Sequence, residues 1–137
     1  MNDAPFSLHS RLEADTFHVK DGPVSAFRLM DDARYWWLIL VPRITGVRTY
    51  ADVPAKSRAI LMEEIVCAEN AIRSVAAPEH INAAQLGNQV PQLHIHVIGR
   101  SAGDPAWPGP IWGVGAPVPL SNTERTDRVA RLHDALP

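Results

Sequence analysis

The sequence QVPQLHIHVIGR, residues 89–100, alternates polar and apolar side chains from Gln92 onward. A period of two is typical of a β-strand, whose successive side chains point to opposite faces. Gln92, His94 and His96 should therefore share one face, and the apolar residues between them should face a core. Side chains two residues apart on a strand start about 7 Å apart, which is twice the rise per residue. The two imidazoles can thus converge on one small group above the strand, such as a phosphate.

The segments before this strand predict an antiparallel sheet. Residues 80–85 (HINAAQ) form a short strand, and a turn at residues 86–89 should join it to the histidine strand as a hairpin. Further strands are predicted at residues 16–19, 24–30 and 35–41. The last of these, YWWLILV, is almost entirely apolar, which indicates burial on both faces or an outer face that meets a partner. We expect about five strands in the sheet.

One long helix lies between these two groups of strands. Asp52 and Pro54 are a helix-start signal, an apolar stripe with spacings of three and four follows, and Pro78 ends the pattern. The stripe consists of Leu61, Ile65, Ala68, Ile72 and Val75. Glu64 should lie off this stripe. A single long helix among antiparallel strands is typical of an α+β domain.

The chain ends in two further segments. Residues 101–119 contain five prolines, four glycines and two tryptophans, a composition that predicts a semi-rigid tail with tryptophans covering a surface. One hypothesis is that this tail crosses to a partner subunit. Ser121 and Glu124 match a capping box, which predicts a C-terminal helix over about residues 121–135. At the other end, Ser7 or Ser10 is a predicted cap for a short helix.

Composition excludes several classes of protein. The chain has 137 residues, the size of one domain, and 46% of them are hydrophobic, too many for a disordered chain. A net charge of −2 argues against binding nucleic acid or an anionic membrane. No apolar run approaches the roughly 18 residues of a membrane span, and no signal peptide is recognisable. The single cysteine, Cys67, cannot form an intrachain disulfide, which fits the reducing cytoplasm.

The segment from Asn82 to Arg100 resembles the active-site segment of the histidine triad (HIT) superfamily, whose pattern is His-x-His-x-His-x-x with x hydrophobic. The order of apolar strand, helix and hairpin is also similar, over about residues 15–115. The tail from Trp107 to Trp112 resembles that of a bacterial branch of the superfamily. The resemblance implies one HIT-like α+β domain over residues 1–137 and a homodimer with one continuous sheet.

The resemblance also implies roles for five residues. The middle triad histidine falls on His94, the nucleophile on an α-phosphorus, and the last falls on His96, which contacts the phosphate and helps the leaving group. Asn82 and Gln89 fall at positions that contact phosphate or ribose. Gln92 occupies the first triad position, where we expect it to contribute to substrate binding.

The implied activity is hydrolysis or nucleotidyl transfer at the α-phosphate of a nucleotide, such as a dinucleoside polyphosphate or a phosphoramidate, without cofactor or metal. A neutral imidazole suits this chemistry because its pKa of about 6.5 leaves it unprotonated near neutral pH. Two departures from the family pattern, Gln92 and Trp37 in place of histidines, favour an alternative: a nucleotide-binding domain with little or no catalysis. A zinc site on the His-x-His pair, with His80 as a third ligand, and two incidental surface histidines are the remaining interpretations.

Overall fold

Five strands form a single antiparallel sheet in the computed structural model, which describes residues 4–137. They are β1 (Thr16–Asp21), β2 (Ser25–Met30), β3 (Trp37–Pro42), β4 (His80–Ala84) and β5 (Ile95–Arg100). Their order across the sheet is β1-β2-β3-β5-β4, and every neighbouring pair is antiparallel. The predicted α+β fold with about five strands is confirmed.

The central strand β3 is buried along its whole length. On one face of the sheet, Leu38 and Leu40 join a core that includes the helices. On the other face, Trp37, Ile39 and Val41 belong to a second core. An apolar run without alternation is therefore required here, because both faces of this strand are covered by other parts of the same chain.

Three α-helices accompany the sheet: α1 (Ser10–Asp15), α2 (Ala55–Ala76) and α3 (Asn122–Ala135). The predicted apolar stripe of α2 packs against the first core, as does Leu132 of α3. Helix α2 ends where Ala77 adopts a left-handed conformation (φ 44°), just before Pro78. Among residues 4–137, no helix combines the length and the hydropathy needed to cross a bilayer.

The helix caps differ from prediction at two of three positions. The cap of α1 is His9, whose ring accepts the backbone N–H of Arg11, rather than either predicted serine. Asp52 closes a short 3₁₀ turn (Tyr50–Asp52) and Pro54 stands at the N-cap of α2, so the acidic residue caps the turn and not the helix. The capping box of α3, made by Ser121 and Glu124, is confirmed.

Glu64 is buried, although the sequence pattern placed it off the apolar stripe of α2. Its Oε2 accepts the backbone N–H groups of Val24 and Ser25, each at 3.0 Å. These amides lie at the start of β2, where the chain enters the sheet. A carboxylate is stabilised in the interior by such hydrogen bonds, so the exception to the helical pattern has a structural cause.

The proline-rich tail folds back on its own chain. Ile111 is buried in the second core, and the guanidinium of Arg34 donates to the carbonyl of Val114 at 2.7 Å. Arg100 donates to the carbonyl of Gly109, also at 2.7 Å. These contacts cover the face of the sheet opposite α2 and α3. The tail therefore covers a surface of its own chain, as its tryptophans predicted; that part of it also crosses to a partner subunit stays a prediction.

Candidate active site

His94 and His96 lie side by side where β5 begins. Their ring centroids are 5.0 Å apart, and the two residues are 7% and 6% exposed. Regular strand pairing begins only at Ile95, one residue later than His94. Leu93, two residues before Ile95, donates its N–H to the carbonyl of Val47 at 3.0 Å instead of to a neighbouring strand. The alternation of faces nevertheless continues through this irregular start, so both rings project to the same side.

A hydrogen bond to the backbone determines the tautomer of His94. Its Nδ1 lies 2.8 Å from the carbonyl oxygen of Gln92. A carbonyl oxygen can only accept, so Nδ1 carries the proton and Nε2 keeps a lone pair. Burial lowers the pKa of His94 below 6.5; the Gln92 carbonyl opposes this shift, and nearby His9 adds to it. A neutral imidazole with one free nitrogen can act as a nucleophile at neutral pH.

His96 has the opposite tautomer because of Trp37. The indole Nε1–H donates to Nδ1 of His96 at 3.0 Å, and an indole N–H can only donate. Neutral His96 therefore carries its proton on Nε2. Burial, with a smaller contribution from His94, lowers the pKa of His96 to about 3. At neutral pH His96 is a fixed hydrogen-bond donor rather than a charged acid.

The two histidines line a cavity of about 390 Å³. Other walls come from Arg11 and Asp15 of α1, from the 86–90 loop, and from Trp112, whose ring centroid is 5.3 Å from that of His96. Gln89 is one of the loop residues that line it. Of the residues implied by the sequence, His94, His96 and Gln89 are thus brought together.

Gln92 and Asn82 are not among the residues lining this cavity. The carboxamide of Gln92 is bonded at both ends to the N-terminal segment: Nε2 donates to the carbonyl of Ser7 at 2.9 Å, and Oε1 accepts the N–H of His9 at 2.8 Å. Asn82 on β4 accepts from the guanidinium of Arg100 at 2.8 Å. Both side chains therefore make structural hydrogen bonds in this structure.

A second cavity of about 440 Å³ adjoins the first. Residues that line both include Arg11, Asp15, Met30, Trp37 and Trp112. The second cavity extends under the tail, along residues 113–119, toward Arg34 in the turn between β2 and β3. The two cavities thus form one cleft, with the histidines at one end and the tail over the other.

A comparison with protein families matches residues 11–103 to the HIT domain. The chain belongs to the HIT domain family. It is 40% identical to a histidine triad protein from Bradyrhizobium japonicum, with a TM-score of 0.94 over 97% of this chain and 99% of that one. A histidine triad protein from Marinobacter aquaeolei is 38% identical, with a TM-score of 0.94 over 97% of each chain. A third, from Sinorhizobium meliloti, is 37% identical, with a TM-score of 0.93 over 96% of this chain and 97% of that one. No curated protein matches.

HIT domain proteins are generally nucleotide-binding hydrolases and transferases. Sequence reasoning missed three residues that stand near the histidines of this HIT domain: Trp37, Trp112 and Arg11. Trp37 was recognised only as a departure from the family pattern. Trp112 was recognised only as a residue of a tail that must cover a surface. No sequence signal identifies Arg11, because α1 has six residues and only its tertiary position brings it to the cleft.

No three His, Cys, Asp or Glu side chains within residues 4–137 are grouped closely enough to hold a metal ion. His80 was the third ligand considered for a zinc site. It lies opposite Arg100 in the β4–β5 pair, whereas His96 lies opposite Ala84. Four residues of strand separate the two positions by about 13 Å, which is too far for a shared ion.

Replacing Trp37 with phenylalanine should remove the hydrogen bond that keeps the proton of His96 on Nε2. Without the indole N–H, Nδ1 can be protonated, so the pKa of His96 should rise and the Nε2–H form should lose its advantage. Imidazole nitrogen shifts measured by NMR at pH 7 report this directly. The control is Trp36→Phe, because Trp36 packs against the opposite core. An unchanged His96 tautomer in Trp37→Phe would contradict the assignment.

Proposed function

We propose that this HIT domain is a nucleotide hydrolase or nucleotidyl transferase that acts at an α-phosphate through a nucleotidyl-His94 intermediate. The observation that supports it most strongly is the pair of complementary tautomers. His94 has its proton bonded to a backbone carbonyl at 2.8 Å and a lone pair on Nε2, while neutral His96 beside it carries an Nε2–H. The ring of His94 can attack a phosphorus atom, and the ring of His96 can donate a hydrogen bond to an oxygen of the same phosphate.

The reaction is a double displacement. Nε2 of His94 attacks the α-phosphorus, a P–N bond forms, and the bond from phosphorus to the leaving group breaks with its electron pair. The imidazole is then positively charged, and the Gln92 carbonyl that accepts its Nδ1–H stabilises that charge. Nε2–H of His96 donates to a phosphate oxygen as negative charge develops. Water, or the hydroxyl of another acceptor, then attacks phosphorus and loses its proton to solvent. The P–N bond breaks, its electron pair returns to Nε2, and His94 is neutral again.

The cleft has room for a nucleotide next to the histidines. Its two cavities, of about 390 and 440 Å³, are each within the range of small-molecule sites. Met30 at the end of β2 lines both, and Leu12 lines the first. We place the base against this apolar wall and the α-phosphate over His94, with a dinucleoside polyphosphate or a nucleoside phosphoramidate as the substrate class.

Intact-protein mass spectrometry tests the mechanism. After rapid acid-free quenching of a reaction with an adenosine phosphoramidate or a diadenosine polyphosphate, wild type should carry an adduct with the mass of one adenylyl group. His94→Ala should carry none, and fragmentation should place the group on the peptide containing His94. An adduct on another residue, or product formation by His94→Ala at the wild-type rate, would refute the nucleophile.

The alternative is a nucleotide-binding domain with little or no catalysis. It is favoured by the position of Gln92, which stands where the family pattern has its first histidine and whose carboxamide is engaged by Ser7 and His9. This alternative predicts that nucleotides raise the melting temperature while neither adduct nor product forms.

We further propose a homodimer in which two copies of β4 pair. This strand lies at one edge of the sheet, with β5 as its neighbour on the other side. Edge strands present unpaired backbone groups that can bind a second strand, which would create a continuous ten-stranded sheet. Sedimentation equilibrium should give the mass of two chains. Ala83→Lys, which introduces a charge on this edge, should shift the protein to one chain, and a monomeric wild type would rule out the dimer.

A further inference from the structure

We propose that Arg11 binds the phosphate next to the α-phosphate, so that the protein selects substrates with a phosphorylated, anionic leaving group. The inference rests on the proposed function and specifies its substrate class. It favours polyphosphate-linked nucleotides over phosphoramidates, whose leaving group is an amine.

Arg11 stands at the junction of the two cavities, because it lines both. Among the described residues that line the histidine cavity, it is the only lysine or arginine. His94 and His96 supply no formal charge near neutral pH, since the pKa of each is lowered. The positive charge available to a polyphosphate at this end of the cleft therefore comes from Arg11.

The guanidinium of Arg11 is available to a ligand. Its ion pair with Asp15 is 3.5 Å long, and the two side chains are 60% and 51% exposed. An exposed ion pair of this kind contributes little to stability, so Arg11 can leave Asp15 for a better partner. Arg34, the other arginine of the cleft, is already committed: it donates to Asp32 at 2.8 Å and to the carbonyl of Val114.

The carboxylates that line the cleft repel a polyphosphate, which makes the positive charge of Arg11 more important for binding. Asp15 lines both cavities, and Asp31 and Asp32 line the second. Asp32 is neutralised by its bidentate contact with Arg34, whose Nε donates to Oδ1 and whose second guanidinium nitrogen donates to Oδ2. A polyphosphate that displaces Asp15 from Arg11 gains a bidentate guanidinium–phosphate contact.

The N-terminal segment holds Arg11 over the cleft through Gln92. The carboxamide of Gln92 bonds to Ser7 and to His9, and the ring of His9 in turn accepts the backbone N–H of Arg11 at 3.0 Å. Leu12, the next residue, is 4% exposed and belongs to the second core. The residue in the first triad position thus acts as a positioning residue that connects α1 to the catalytic strand.

The test compares kcat/KM for two substrates, a dinucleoside triphosphate and a nucleoside phosphoramidate. Arg11→Gln should lower kcat/KM for the triphosphate 10- to 100-fold and that for the phosphoramidate less than 3-fold, and Arg11→Lys should recover part of the loss. The matched control is Arg125→Gln: Arg125 lies on α3 with its guanidinium over the ring of Phe17, away from the cleft. It should change neither value.

Equal losses on both substrates, or no loss on either, would overturn the role of Arg11. If wild type turns over neither substrate, the proposed catalysis fails, and the inference is then judged by binding alone. Calorimetric titration should show that Arg11→Gln weakens the binding of ADP at least 10-fold and the binding of AMP less than 3-fold. Equal changes for ADP and AMP in that measurement would overturn the inference as well.

Discussion

Replacing His94 with alanine is expected to lower kcat/KM for an α-phosphate substrate by about 10⁴-fold, because it removes the proposed nucleophile and leaves only binding and hydrogen-bond donation. The substitution also removes one hydrogen bond to the Gln92 carbonyl and creates a small cavity, which should lower the free energy of unfolding by roughly 1–3 kcal/mol. The folded variant can therefore be assayed. Steady-state kinetics with purified protein measure the effect.

His80→Ala is the matched control, since His80 is exposed on β4 and lies outside the cleft. Its kcat/KM should remain within about 2-fold of wild type, given the small effects of surface substitutions. If His94→Ala kept more than a tenth of the wild-type kcat/KM, the covalent mechanism would be wrong. Catalysis would then have to come from another group of the cleft, whereas the binding-only alternative would be indicated by a wild type that shows no turnover.

The pH dependence of the same reaction follows from the pKa of His94. Burial lowers this pKa below 6.5, so the nucleophile remains neutral in mildly acidic solution. The acid limb of the kcat/KM profile, where His94 is protonated, should therefore be centred below pH 6.5. A profile of kcat/KM whose acid limb is centred at or above pH 6.5 would contradict the lowered pKa.

Asp104→Ala is expected to cause the largest loss of stability, about 3–5 kcal/mol, because it leaves a buried guanidinium without its counter-charge. The side chains of Arg100 and Asp104 are 2% and 9% exposed, and they are joined by hydrogen bonds of 2.8 and 3.1 Å. Asp104 also accepts the backbone N–H groups of Ala106 and Trp107. Urea unfolding at pH 7 measures the difference in free energy.

The exposed pair of Asp127 and Arg131 provides the control, at 3.6 Å with side chains 59% and 47% exposed. Asp127→Ala should cost less than about 1 kcal/mol. A similarly small loss for Asp104→Ala would show that the tail is not held by this buried pair. Because Trp112 of the tail packs on His96, Asp104→Ala should also impair nucleotide binding in whatever fraction remains folded.

The contribution of Asp104 should depend on pH in a predictable direction. The hydrogen bond from Arg100 lowers the pKa of Asp104 from 3.8 to about 2. A carboxyl group whose pKa is lower in the folded than in the unfolded protein stabilises the folded state at pH values above the unfolded-state pKa. This stabilisation is lost as the pH falls through the folded-state pKa. About 2 kcal/mol of the difference between wild type and Asp104→Ala should therefore be lost between pH 4 and pH 2.

The features predicted correctly from the sequence are those with local periodicity. The apolar run from Tyr35 to Val41 predicted a strand buried on both faces or one whose outer face meets a partner, and the structure has the first arrangement. The stripe of α2 predicted the helix that covers one of these faces. The alternation around His94 and His96 predicted that their rings share a face, which holds although the strand itself begins at Ile95. Covalent geometry alone imposes these patterns, so they need no knowledge of distant partners.

The features that were missed depend on contacts between residues far apart in the chain. Glu64 is buried because its carboxylate accepts two backbone N–H groups 40 and 39 residues earlier in the chain. Gln92 turns to the N-terminal segment instead of the cleft, and Asp52 caps a 3₁₀ turn instead of α2. A hydrogen-bonding side chain has several partners within reach, and only the folded arrangement selects one of them.

The sequence by itself determined the sheet, the long helix and the paired imidazoles, because side-chain direction follows from strand and helix geometry at each position. Only the tertiary structure decided which nitrogen of each imidazole is free, since that choice belongs to the Gln92 carbonyl and to the indole of Trp37, fifty-nine residues from His96. It also decided that Arg11 and Trp112, at opposite ends of the chain, are walls of the same cleft. The protonated nitrogen of each imidazole and the residues that line the cleft depend on close contacts between segments that are distant in the chain. No local pattern in the sequence encodes such contacts.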